Sequence, residues 1–300
     1  MTATLDGAAV REKTAEWLLA AAAKHALDPE VEIDWDAPSI PGQMWMPERR
    51  CSLYGTPLWE QMTPEQRVEL TRQEVASMCA SAVWFETMLM QMLLRHAYDE
   101  DARSQHVRHA LTEIAEECRH SMMFAKILSR EGACAYGPGA RVKLGGRLLK
   151  SLSNPALTFA GALYVEEYAD AMQRESMHDD TVQPLWRAAA RLHVVEEARH
   201  VRFARDELPR TVAGLSRLEL LYSQLVTGLI VWAVTMTQIN PKVYGAVGLD
   251  ITEAKAQAAA NPHVVAARRE CSAKVMAFLT DNGLVPRWSR RLFLRPAGLA

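Results

Sequence analysis

The sequence repeats itself at an offset of 80 residues, and the repeated positions carry acids and imidazoles. Glu86 answers to Glu166, Glu117 to Glu197 and His120 to His200, so each half reads Glu, a second Glu 31 residues on, and His three further along. The strings EECRH (116–120) and EEARH (196–200) agree at four of five positions. Such a pattern confines the chain to folds in which two equivalent units present the same chemistry to one another.

The surrounding periodicity says what those units are. Apolar residues recur with helical spacing, alternating runs are scarce, and Pro and Gly collect in a few stretches, which predicts an all-α fold. Residues 27–62 carry five prolines and read as an irregular segment laid across the domain. At Thr63-Pro64-Glu65-Gln66 a capping threonine, a proline at the first helical position and a glutamine able to bond back to the cap coincide, predicting a helix to about Tyr98. Asp99-Glu100-Asp101 ends it, and a second helix is expected from Ser104 to Arg130, before the break GACAYGPGARVKLGG. Asn154-Pro155 opens a third helix, His178-Asp179-Asp180 turns the chain, and a fourth is expected from about Thr181 until Pro209 stops it. The whole of 1–300 reads as one domain: two hairpins forming a four-helix core at about 63–206, with flanking helices at about 6–26, 214–240 and 251–282. The terminal RPAGLA carries no readable role.

Charge and cysteine content remove several classes. With 34 basic against 36 acidic residues the chain has no field that would favour nucleic acid or an anionic membrane. Five cysteines without a C-x-x-C pair fit neither a disulfide framework nor a zinc ribbon, and point to a reducing, cytoplasmic setting. The apolar run Trp17–Ala23 follows Asp6, Glu12 and Glu16 where a secretory signal would be basic. Leu225–Met236 is shorter than the roughly 18 to 20 residues a membrane span needs and is expected to be a buried core helix.

Antiparallel helices bring together residues equidistant from their turn, and the midpoints of Glu86/Glu117 and Glu166/Glu197 fall in the polar turns near 101 and 181. Glu86 shares a stripe with Cys79, Val83, Met90 and Leu93, and Glu166 with Phe159, Leu163 and Ala169. Four carboxylates converging in an apolar interior repel one another unless cations join them. Two iron ions fit, manganese being a substitute: carboxylates bridge, and each E-x-x-H offers one oxygen and one imidazole from one helical face. The competing reading of EExRH is a salt-bridged surface run, which a single copy would favour and two copies in register disfavour. His193 stands at positions 0, 4 and 7 with Glu197 and His200, so it is either a third imidazole ligand or a core histidine; its repeat partner is Glu113. Glu74 lies about 120° round the helix from Glu86 and is expected at the surface or behind the ligands. Cys118 faces away and reads as a small packed thiol, while Tyr164, Tyr168 and Asp170 are placed to hydrogen-bond the ligands. Met88, Met90, Met92, Met122 and Met123 form core packing or line a substrate cavity.

Glu86 and Phe124 stand where ribonucleotide reductase small subunits commonly have aspartate and a radical tyrosine, and the flanking helices exceed an iron store's compact bundle. With the histidine opening HVVEEARH, the sequence resembles the p-aminobenzoate N-oxygenase family of ferritin-like diiron enzymes, over about 63–206 and most closely at EIAEECRH and HVVEEARH. The resemblance implies one iron held by Glu86, Glu117 and His120 and the other by Glu166, Glu197, His200 and His193. It also implies oxidation of an arylamine to a hydroxylamine and onward to a nitro compound. A hydroxylase or fatty-acyl desaturase acting on C–H bonds, or a non-enzymatic iron-binding protein, are the alternatives. Small-molecule substrate, dioxygen and an external electron donor are the expected partners, since no flavin fingerprint or iron–sulfur cysteine cluster occurs, and long apolar helix faces suggest a homodimer.

Overall fold

The computed structural model describes residues 2–98 and 100–299, with side chains from residue 8 onward. Asp99 of the expected turn and the final Ala300 lie outside what is described, as does the side chain of Asp6. The elements are α1 (Thr2–Lys24), α2 (Pro29–Glu32), α3 (Pro57–Gln61), α4 (Pro64–Tyr98), α5 (Gln105–Arg130), α6 (Ala140–Leu152), α7 (Pro155–Ser176), α8 (Pro184–Ala213), α9 (Arg217–Thr237), α10 (Lys242–Ala246), α11 (Ile251–Ala260), α12 (Pro262–Asp281) and α13 (Arg287–Ser289), which runs on into a wide turn at Arg290–Leu294. No β-strand forms among the described residues, and the fold is all-α and ferritin-like.

The local signals act as their chemistry requires. Gln66 N–H donates to Thr63 Oγ1 at 3.3 Å and Thr63 N–H to Gln66 Oε1 at 3.0 Å, which closes a reciprocal cap on α4. Ser104 caps α5 and Asn154 caps α7 in the same way, each accepting from a backbone N–H three residues on. α4 pairs with α5 and α7 with α8, and α4 meets α7 to join the hairpins. α1 covers α5 and α8, whereas α9 and α12 cover α7 and α6 and α10 cover α4. The interior between the hairpins is apolar, with Phe85, Leu89, Leu93, Phe159, Leu163 and Phe203 in one cluster.

Four expectations change. The glycine-rich break after α5 contains a helix, α6, which lies close on α4 because Gly146 has no side chain: a Cβ there would stand 2.4 Å from the Trp84 ring. α8 does not stop at Pro209 but continues a turn beyond it, without the bond that proline cannot donate. It also begins three residues later than expected, since Gln183 turns its side chain to Ile40 and Gln43. α9 is not a buried core helix: Leu221, Leu225, Leu229 and Trp232 are exposed along one side. By length and composition two stretches could cross a membrane, Pro64–Tyr98 and Arg217–Ala246, and the first of these carries Glu86 in the bundle.

Glu74 is neither exposed nor beside the ligands. It is fully buried where α4 extends past the bundle, accepting hydrogen bonds from the Ser52 backbone and hydroxyl, and Ser52 in turn meets Tyr244 Oη at 2.9 Å. Burial, opposed by the bonds from Ser52, pushes the Glu74 carboxyl up from 4.5 to about 7. A raised acid binds its proton more tightly in the fold, so its contribution is complete below the unfolded value and lost as pH rises through about 7. Above pH ~8 the deficit is about 3 kcal/mol. Urea unfolding of the wild type and Glu74→Gln across this window is expected to show the wild type losing stability relative to the variant as pH rises; parallel curves would contradict it.

Candidate metal centre

All seven residues singled out by the repeat and by HVVEEARH are buried: Glu117, Glu197 and His120 completely, and Glu86, Glu166, His193 and His200 to within 3 %. α4 and α7 contribute one glutamate each, and α5 and α8 contribute the E-x-x-H pairs. Glu117 and Glu197 meet across the hairpins through the two motif histidines. His120 Nδ1 lies 3.4 Å from Glu117 and 3.0 Å from Glu197, and His200 Nδ1 lies 3.1 Å and 3.0 Å from the same two.

The far side of each imidazole explains the first glutamate of EExRH. Glu196 Oε2 stands 2.8 Å from His120 Nε2, and Glu116 Oε2 stands 2.8 Å from His200 Nε2. Each motif therefore orients the histidine of the other, leaving both Nδ1 atoms facing the shared carboxylates. Arg199 pairs with Glu116 at 2.7 Å, and Arg119 approaches Glu196 at 3.5 Å. An imidazole whose outer nitrogen donates to a carboxylate is fixed in tautomer and orientation and is more basic at the other nitrogen. Glu116, Glu196, Arg119 and Arg199 were visible only as matching letters in the repeat. The repeat itself was the signal, because symmetric ligands require symmetric supports.

The outer carboxylates are less symmetric. Glu86 accepts from Ser121 Oγ at 2.6 Å, a position at which the second half has Val201. His193 Nε2 lies 3.6 Å from Glu86 and 3.5 Å from Glu197, and its ring lies tilted against that of His120, with centroids 4.6 Å apart. Its donor atoms thus gather with Glu86 and His120 as well as with Glu166 and Glu197, so it belongs to neither iron set alone. Glu113, its counterpart, gathers with Glu117 and His200. Burial lifts Glu113 to about 8, with His200 opposing and neighbouring carboxylates adding to the rise.

Other candidates fall away. Tyr164 Oη bonds Thr235 and Ser272, and Asp170 pairs with Arg174, so neither reaches a ligand. Tyr168 is buried and makes no hydrogen bond to a ligand. Cys118 is exposed rather than packed, with its Sγ against Met90 at 3.3 Å. Met123 is core and Met122 is exposed. Met88 and Met92 line a cavity of about 470 Å³ between α4, α6, α7 and α9, whose inner wall includes Phe85 and Leu89 beside Glu86, and Ala162 and Val165 before Glu166.

The electrostatics show what holds the acids together without metal. Burial, then the charges of Glu197, Glu117 and Glu86, raises Glu166 well above the carboxylate range. Burial also raises Glu86, against the attraction of the neighbouring His193 imidazole. Burial would lower His120 and His200, but the glutamates around them hold both well above the usual imidazole range. Glu197, which burial would raise, is drawn well below its ordinary value by His200, His193 and His120. Even so, Glu117 Oε1 and Oε2, Glu166 Oε1, Glu197 Oε1, His120 Nδ1 and both His193 nitrogens are buried without a hydrogen-bond partner. Buried, unpartnered carboxylate and imidazole atoms gathered in this way could hold metal ions.

The family model P-aminobenzoate N-oxygenase AurF matches residues 8–283. The chain belongs to that family. The AurF family is one of diiron oxygenases. Among curated proteins the chain is 27% identical over 199 residues to the uncharacterized protein Rv0885 of Mycobacterium tuberculosis and, to the same degree, to the uncharacterized protein Mb0909 of Mycobacterium bovis. These alignments cover 64% of the chain and 58% of each relative, so the chain spans a little over half the length of the curated relatives it matches.

Proposed function

We propose that the chain is a non-haem diiron oxygenase whose ions are held by Glu86, Glu117, His120, Glu166, His193, Glu197 and His200. The observation that carries the reading is the set of fully buried, unpartnered ligand atoms in two symmetric halves. Bound there, a metal pair would supply the redox chemistry that activates dioxygen. The chain's own residues do the rest. Glu116 and Glu196 orient the histidines; Phe85, Leu89, Phe159 and Leu163 keep water from the carboxylates; and Ser121 fixes Glu86.

For the reaction, N-oxygenation of an arylamine follows the family: one oxygen atom enters an N–H bond and the other leaves as water, with two electrons and two protons from an external donor. A second reading, oxidation of a C–H bond, draws on the apolar wall beside Glu86 and Glu166. Free cysteines fit a reducing, cytoplasmic setting, and the outward apolar side of α9 fits a homodimer. To test the reading, the metal-free protein is loaded with ferrous iron without air, then given oxygen, reductant and an uncharged arylamine or an alkane-bearing substrate. A hydroxylamine or nitro product by mass spectrometry is expected. Carbon-hydroxylated product alone would replace the first reaction by the second, and no oxygen consumption would overturn both.

A further inference from the structure

The cavity beside the centre has a one-sided chemistry. It opens against the helices that bring only carboxylates to the centre, α4 and α7, and among the described residues none of α5 or α8 lines it. From Ala162 and Phe85 at its inner end the wall runs outward past Trp84, Met88 and Trp232 to Arg141, the one charged residue among the described residues that line it. Arg141 is exposed at the start of α6 and makes no hydrogen bond or ion pair among the described residues. The remaining charges of α6, Lys143, Arg147 and Lys150, are positive as well. Gly146 lets this helix lie directly on Trp84 and so form the roof. Its leucines Leu148 and Leu152 continue the apolar wall into solvent.

A charged group inside such a cavity would find no partner, at a cost of several kcal/mol, whereas each Å² of apolar surface buried there contributes about 25 cal/mol. A compact acid such as p-aminobenzoate would have to take its carboxylate into that interior. We infer that the cavity selects an anionic amphiphile: an apolar body that fills the space from Ala162 outward, with its reacting end beside Glu86 and Glu166 and a carboxylate-type head at Arg141 under the basic α6. The reacting end rests on the proposed oxygenase reading, whereas the binding itself does not need metal.

Trp84 and Trp232 line the cavity, so ligand entry is read by tryptophan emission in the full chain, metal-free and iron-loaded. The probes are dodecanoate, dodecyltrimethylammonium and p-aminobenzoate, all below micellar concentration. Dodecanoate is expected to bind at least about threefold tighter than the cation of equal chain length, a preference that Arg141→Glu removes. Ala162→Phe fills the inner end and Gly145→Trp the roof, where an added Cβ meets nothing within 4 Å; each is expected to weaken dodecanoate about tenfold. The second variant keeps the test decisive if the first fails to fold. Equal binding of anion and cation, or affinity untouched by the filling variants, would overturn the inference. Turnover of p-aminobenzoate by a protein indifferent to dodecanoate would do so while leaving the oxygenase reading intact. Tight, cavity-dependent dodecanoate binding by a protein that takes no iron would support the amphiphile and sink the oxygenase.

Discussion

Glu166→Gln is expected to abolish tight iron binding while leaving the metal-free fold as stable as before. Glu166 stands among Glu197, Glu117 and Glu86, and burial with their charges keeps it protonated in the metal-free state. Glutamine has the shape and charge of that protonated form, so thermal unfolding of the two metal-free proteins should agree within about 1 kcal/mol. With iron the comparison reverses. A lost ligand should cost more than the about 100-fold that marks the upper end for losing an outer partner. The wild type should gain about 4 kcal/mol when free iron exceeds its dissociation constant a thousandfold, and the variant almost none. Glu197→Gln should behave differently, because Glu197 is ionised and its charge balances the protonated histidines, so that variant is destabilised even without metal. If Glu166→Gln weakens the metal-free fold as much as Glu197→Gln does, the protonation pattern derived for the centre is wrong.

Glu116→Gln and Glu196→Gln are expected each to lower iron affinity by about 10- to 100-fold, and the double variant to lose more than either. Neither carboxylate belongs to a ligand grouping; each holds the opposite histidine at 2.8 Å, and on the proposed reading it would act on the metal through that imidazole. The amide keeps the size and a hydrogen bond but gives up the charge that fixes the imidazole proton on Nε2. Titration of iron into each metal-free variant, with circular dichroism to confirm the fold, measures this. Equal affinity in the wild type and the double variant would reduce these residues to core ion pairs with Arg199 and Arg119.

Six of the seven candidate ligands were legible as one buried cluster because duplication writes them twice, and because a carboxylate in an apolar stripe is too costly to stand there without a positive charge or a proton. The cap at Thr63 was legible because its three residues act within one turn. The supports were not: Glu116 and Glu196 look like the solvated half of a charge run, and only the crossing of α5 by α8 turns them inward. Glu74 was misplaced since a bundle of four helices has one interior, whereas α4 outruns the bundle and meets Ser52 and α10 on another face. α6 hid behind its glycines, which read as a break and in fact allow contact with Trp84. His193 could be placed at the centre by its spacing, but spacing does not say which ion it serves, and in the fold it approaches Glu86 and Glu197 equally.

The most direct test of the buried carboxylate pair of hairpins as an iron site is a ferrous titration of the metal-free chain in weak buffer, counting ions bound and protons released together. The account predicts saturation at two ions per chain with release of protons, since His120, His200 and Glu166 must give theirs up. Saturation without proton release, or no uptake by a folded chain, would contradict it.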